Sequence, residues 1–232
     1  MRILVVNPNT TARMTTLIGE CARASVSPGV LVDAVNPAAG PESIESHYDE
    51  AVATPHLLAT LGSLRAYDGY VIACFGDPGL HAARELVTAP VVGIAEAAMR
   101  TAGYLARRFS VVTTLSRVVG HTWSIARDYG VAELIGGVHA CEIPVVELDS
   151  DPAAYQRIAT ACRVALEEDR SEAVVLGCAG MADLCAKLQA ELGVPVVDGV
   201  AAATAEVEKL VRLGLTTSSS GEYAAPPGKS FA

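Results

Sequence analysis

The sequence is short of aromatic and charged residues: Phe, Trp and Tyr supply 5% of its 232 positions, and Asp, Glu, Lys and Arg together 19%. It has no apolar run near the roughly 18 residues that a membrane-spanning helix needs. MRILVVNPNTT carries only four consecutive apolar residues after Arg2, too few for a secretory signal core. No long basic run occurs and the net charge is −9, which argues against nucleic acid and anionic membranes as partners. There is no C-x-x-C pair, so a structural zinc site or thioredoxin-like motif is not expected. G-x-G-x-x-G, the phosphate-binding P-loop, G-x-S-x-G and H-E-x-x-H are all missing. These gaps leave nucleotide-dependent redox chemistry, phosphoryl transfer, serine hydrolysis and metal catalysis without support, and neither a cofactor nor a metal is expected. The cytoplasm is the expected compartment. The six cysteines, at 21, 74, 141, 162, 178 and 185, read as reduced thiols.

What the chain has in quantity is Ala, Val and turn residues. Hydrophobic residues make up 51% of it, enough for a substantial core. The length suits one large domain or two lobes of about 100 residues each. Short apolar runs bounded by Gly, Pro, Asn and Asp alternate with helical stretches, the pattern of buried parallel strands. Strands are predicted at Arg2–Val6, Val30–Val35, Gly69–Cys74 and Pro90–Ala95, with a helix from about Thr11 to Ser25. A second helix, from about Glu45 to Leu64, is expected to bend at Pro55.

The layout then repeats. RRFSVVTTLS resembles RILVVNPNTT, GVHACEIP echoes GVLVDAVNP, EAVVLGC echoes GYVIAC, and VPVVDG echoes APVVGI, at offsets of 104–108 residues. The expected fold is therefore α/β with two pseudo-symmetric lobes, each a short, mostly parallel four-stranded sheet flanked by helices. The lobes are expected at 1–97 and 98–204, with a segment from about 205 to 232 packing back on the first. A cleft between them is the expected site, because open α/β sheets bind ligands at their carboxyl strand ends.

Two thiols, Cys74 and Cys178, close equivalent strands 104 residues apart. If the lobes face each other, the thiols reach one cleft from opposite sides. That pair suits racemisation: one thiolate removes a proton from one face of a carbon, and the other thiol returns one to the opposite face. Each thiol precedes an expected helix start, whose free N–H groups would favour a thiolate. The nearby Gly76, Gly177 and Gly180 would let a small ligand approach the backbone closely. A buried packing role is the simpler reading of any lone cysteine, and it is the one adopted for Cys21, Cys141, Cys162 and Cys185.

NPNTT, ESHYDE (Glu45-Ser46-His47-Tyr48-Asp49-Glu50), ACFGDPGL around Cys74, the Thr113-Thr114 pair and LGCAGM around Cys178 together resemble the hydantoin/allantoin racemase family of the wider aspartate/glutamate racemase superfamily. The resemblance covers about residues 1–215. It implies a cofactor-independent, two-cysteine isomerase and a homo-oligomer, with Cys74 and Cys178 as catalytic residues. It implies substrate contacts from Asn9, Thr10, Phe75, Gly76, Thr113, Thr114, Ala179 and Gly180. Relatives acting on free amino acids follow each cysteine with Asn-Thr. Phe75-Gly76 and Ala179-Gly180 stand there instead, which favours a neutral cyclic ureide, a 5-monosubstituted hydantoin or allantoin. The first thiol argues against an arylmalonate decarboxylase. A maleate-type cis–trans isomerase and a non-catalytic ligand-binding protein remain alternatives.

Other residues carry weaker expectations. Asn9 and the Thr113-Thr114 pair read equally as turn or cap residues. Tyr48 reads as packing along a helix face, and the five histidines mostly as surface or packing residues. Asp77 is expected to orient the turn after Cys74, Asp198 to cap the last helix, and the loop Asn36–Ser46 to serve as a lid.

Overall fold

A computed structural model of the chain describes residues 1–228. Two four-stranded sheets form, all of whose paired strands run parallel. In the first, β1 (Arg2–Val6), β2 (Leu31–Val35), β3 (Gly69–Ile72) and β4 (Val91–Gly93) lie in the order β2-β1-β3-β4. In the second, β5 (Phe109–Thr113), β6 (Ile135–Ala140), β7 (Ala173–Gly177) and β8 (Val196–Asp198) lie in the order β6-β5-β7-β8. The registers match too: Val5 pairs with Val71, and Val111 with Val175. The central strands β3, β5 and β7 are buried from end to end, which is why they read as unbroken apolar runs rather than alternating ones.

The helices are α1 (Ala12–Ala24), α2 (His47–Ser63), α3 (Leu80–Leu86), α4 (Ile94–Leu105), α5 (Val119–Asp128), α6 (Ala154–Asp169), α7 (Cys185–Leu192) and α8 (Gly199–Arg212). The last helix of each half crosses over. α4 follows the first sheet yet packs on β7 and β8 of the second, while α8 follows the second sheet and packs on β3 and β4 of the first. The two helices meet where Gly199 presses on Ile94, with no room for a side chain at 199. The division at 97/98 expected from the sequence falls inside α4. Beyond α8, the Thr217 N–H donates to the Thr88 carbonyl at 2.9 Å, and Tyr223 stacks on His81. Positions 229–232 of the expected C-terminal segment lie outside the described residues. Among the described residues, no helix is long and apolar enough to cross a membrane.

Several element boundaries differ from expectation. The expected strand Pro90–Ala95 ends at Gly93, and Ile94 and Ala95 open α4. A buried helix start is as apolar as a buried strand, so hydropathy does not separate them. β3 stops at Ile72, leaving Cys74 two residues beyond it. α2 continues through Pro55 as an unbroken helix. Its start is fixed by a reciprocal cap: the Ser46 hydroxyl accepts from the Asp49 N–H, and the Asp49 carboxylate accepts from the Glu45 N–H.

Candidate active site

The carboxyl ends of β1, β3, β5 and β7 surround one cavity of about 200 Å³. Cys74 reaches it from the first sheet and Cys178 from the second, with Phe75, Gly76, Gly177 and Ala179 beside them. Asn9, Thr113 and Thr114 complete the expected wall.

Two expected contacts are not on that wall. Thr10 is turned to the loop, where its N–H and hydroxyl both meet the Pro41 carbonyl, at 2.9 and 3.3 Å. It anchors the segment leading to Ile44, Glu45 and Ser46, which do line the cavity. Gly180 lies behind Cys178, and its N–H donates to that thiol, as the Gly76 N–H does to Cys74.

Asn9 fills the expected turn role and also lies on the cavity wall. Its Oδ1 accepts from Asn7 Nδ2 at 2.8 Å and from the Thr11 N–H at 2.9 Å, fixing the turn before α1. Its Nδ2 is left facing only the Met14 sulfur at 3.2 Å, a weak acceptor on the cavity wall. A carbonyl oxygen in the cavity would be a better partner for that N–H group.

Cys178 directly precedes a helical segment as expected, whereas a turn separates Cys74 from its helix. Cys74 opens a turn that continues through Asp77, and α3 begins only at Leu80. Cys178 caps a 3₁₀ segment (Ala179–Leu184), and α7 begins at Cys185. Burial therefore decides their ionisation. It pushes the Cys178 thiol up to about 12, against the single N–H from Gly180. Cys74 is raised further by the same cause, opposed by the Gly76 N–H and reinforced by the Glu50 and Cys178 charges. Cys74 is half-buried and lines the cavity. Burial thus favours the S–H form of both thiols.

Asp77 does orient the Cys74 turn. Its N–H donates to the Cys74 carbonyl at 2.9 Å. Its buried carboxylate accepts from the Ala95 and Glu96 N–H groups at the start of α4, at 3.0 and 2.9 Å, and from the Tyr129 hydroxyl at 2.7 Å. Its φ of 47° lies in the left-handed region, strain that these three bonds offset. At the equivalent end of the second sheet, Asp198 caps α8 directly, accepting from the Val200 and Ala201 N–H groups.

Sequence reasoning missed one side of the cavity. His121, read as a surface or packing residue, lines it and pairs with Glu50 across the cleft at 3.0 Å. Hydrogen bonding to Glu50 raises the His121 pKa. Glu45 Oε1 accepts from the Val145 N–H at 2.6 Å, a second bond between the halves. Tyr48, expected to pack along α2, is instead 77% exposed. Only the quoted ESHYDE segment signalled any of this, since it holds both Glu45 and Glu50.

Known proteins are similar to this chain in sequence and fold. The family described as Asp/Glu/Hydantoin racemase matches residues 3–207. A protein named hydantoin racemase from Rhizobium meliloti is 45% identical over 235 residues, spanning 100% of this chain and 98% of that one. Another of that name, from Paenarthrobacter aurescens, is 41% identical and spans 100% of both. The solved structure of an allantoin racemase from Klebsiella pneumoniae matches with a TM-score of 0.98 and 48% identity, over 100% of this chain and 96% of that one. Matched from its first strand to its last helix, the chain belongs to the Asp/Glu/hydantoin racemase family.

Proposed function

We propose that the protein racemises 5-monosubstituted hydantoins without a cofactor, by passing protons between substrate and the thiols of Cys74 and Cys178. One observation carries this reading: two thiols at equivalent ends of two sheets of like topology open into a single cavity. A hydantoin carries its stereogenic carbon beside a ring carbonyl. One sulfur, as thiolate, takes the proton from that carbon, and the electron pair moves onto the carbonyl oxygen. The opposite thiol then gives its proton to the other face, and the pair collapses back to form the new C–H bond. The two sulfurs end with exchanged protonation states, so the reverse reaction uses the same groups. Asn9 Nδ2 and the Thr114 hydroxyl are the donors proposed for the substrate carbonyls, with Thr113, Phe75, Gly76 and Ala179 shaping the ring's berth.

A second substrate, allantoin, is favoured by the polar wall formed by Glu45, Ser46, Glu50, Arg117 and His121. Allantoin is a hydantoin whose substituent is a ureido group, with donors and acceptors to match that wall. A maleate-type reaction needs one nucleophilic thiol and leaves the second unexplained. We further propose a cytoplasmic homo-oligomer; the reducing cytoplasm suits six free thiols.

The test is solvent deuterium exchange, followed by NMR beside optical rotation, on single enantiomers of allantoin and benzylhydantoin. Wild type should lose rotation as it takes up deuterium. Cys74→Ser and Cys178→Ser should each abolish racemisation, and each should still exchange the proton of only one enantiomer, a different one for each variant. Racemisation that survives either substitution would remove the two-thiol mechanism. No exchange by wild type on any hydantoin would remove the function.

A further inference from the structure

We propose that His47, Glu50 and His121 form a binding site for one divalent cation of the zinc class at the mouth of the cavity. Each of the three offers a ligand atom, and these atoms lie within 4.8 Å of one another. The sequence spacing conceals the group, because His121 lies on α5 of the second half while His47 and Glu50 share the first turn of α2.

The geometry suits a small ion. His47 Nδ1 stands 3.6 Å from Glu50 Oε2, and His121 Nε2 stands 3.0 Å from Glu50 Oε1. Zinc takes nitrogen and oxygen at about 2.0–2.2 Å in a tetrahedron, which puts ligand atoms about 3.4 Å apart. The two imidazoles meet edge to face, 5.2 Å between centroids and 87° between planes. Two such rings can direct lone pairs at a common point without stacking against each other. An ion there would take the His121 nitrogen that now stands 3.4 Å from the Gly76 carbonyl.

The donor set selects the class of ion. Two imidazoles and one carboxylate suit zinc or ferrous iron and leave at least one coordination position open. Calcium and magnesium prefer shells built from oxygen, and only one carboxylate is offered. Access is direct, because the His47 side chain is 82% exposed. All three residues line the same cavity as the two thiols. A bound ion would therefore tie α2 to α5 across the opening through which substrate passes.

The experiment is a zinc titration against a chromophoric chelator, with the cobalt(II) absorption spectrum recorded on the same proteins. These are wild type, His47→Ala, His121→Ala and the double variant Cys74→Ser/Cys178→Ser. Wild type should bind one ion per chain, and each histidine variant should bind at least about tenfold more weakly. The double variant should keep wild-type affinity, and its cobalt spectrum should match that of wild type, without thiolate charge-transfer bands. Because His47 is a surface side chain, the first variant remains informative even if His121→Ala fails to fold. Wild-type affinity in His47→Ala, binding lost in the double variant, or no stoichiometric binding by wild type would each overturn the site.

Discussion

The Asp77 carboxylate fills the space that a side chain on Gly93 would take. From there it caps α4 and holds the turn that carries Cys74. Asp77→Asn should be costly, because its amide would point an N–H at a backbone N–H. The expected loss is about 1–3 kcal/mol for a buried donor left unpaired, read from urea unfolding. Racemisation should fall with it, since the thiol loses its anchor. Wild-type stability in this variant would show that the cap is dispensable.

The pH profile follows from the raised thiols. One must be a thiolate to take a proton and the other a thiol to give one. Burial holds both above the ordinary thiol value, with Cys178 at about 12. In the free protein kcat/KM should therefore climb with pH through the alkaline range, by up to about tenfold per unit. A falling limb should not appear before the fold itself fails. A profile flat from about pH 7 to 9 would mean that one thiol is already ionised in the free protein.

Gly76→Ala should damage activity far more than stability. The added methyl would collide with the Glu50 carboxylate and stand 3.3 Å from His121 Nε2. Moving Glu50 disturbs the wall, and moving the backbone shifts the N–H that serves Cys74. Gly62→Ala is the contrast, because a side chain there meets nothing within 4 Å. Inside α2 it should raise stability by about 0.5–1 kcal/mol and leave turnover unchanged. Thermal melts and initial rates on both variants check the pair.

Glu45→Ala removes the bond to the Val145 N–H that joins the halves over the cavity. A charge-assisted bond of this kind contributes about 1.5–3 kcal/mol. The melting temperature should fall by roughly 2–4 °C for each kcal/mol lost, and KM should rise because the same bond holds Glu45 on the cavity wall. A lower melting temperature with KM unchanged would assign Glu45 to the fold alone.

The fold was legible because each half repeats the same order of apolar runs and turns. Val5, Val71 and Cys74 find counterparts in Val111, Val175 and Cys178, and the two sheets pair these strands in matching register. The joint approach of both thiols to one cavity follows from that repeat. Glu50 with His121 was not legible, because 71 residues separate them and only tertiary packing joins them. The burial of the thiols was not legible either. The sequence shows Gly and Pro after Cys74, but not that the α-helix waits until Leu80 or that Cys178 is buried. The resemblance implied a substrate contact from Thr10, yet one step along a turn from Asn9 its side chain meets Pro41 instead.

The crossing of α4 and α8 bears on how such a chain could have arisen. Each half gives its last helix to the other's sheet. A single half, made alone, would leave its own sheet partly bare and present a helix with nothing to cover. Two copies of one half would complete each other by reciprocal exchange, placing two identical sulfurs face to face about a twofold axis. Duplication and fusion of such a half-length gene would preserve the paired sulfurs while freeing the walls around them to diverge.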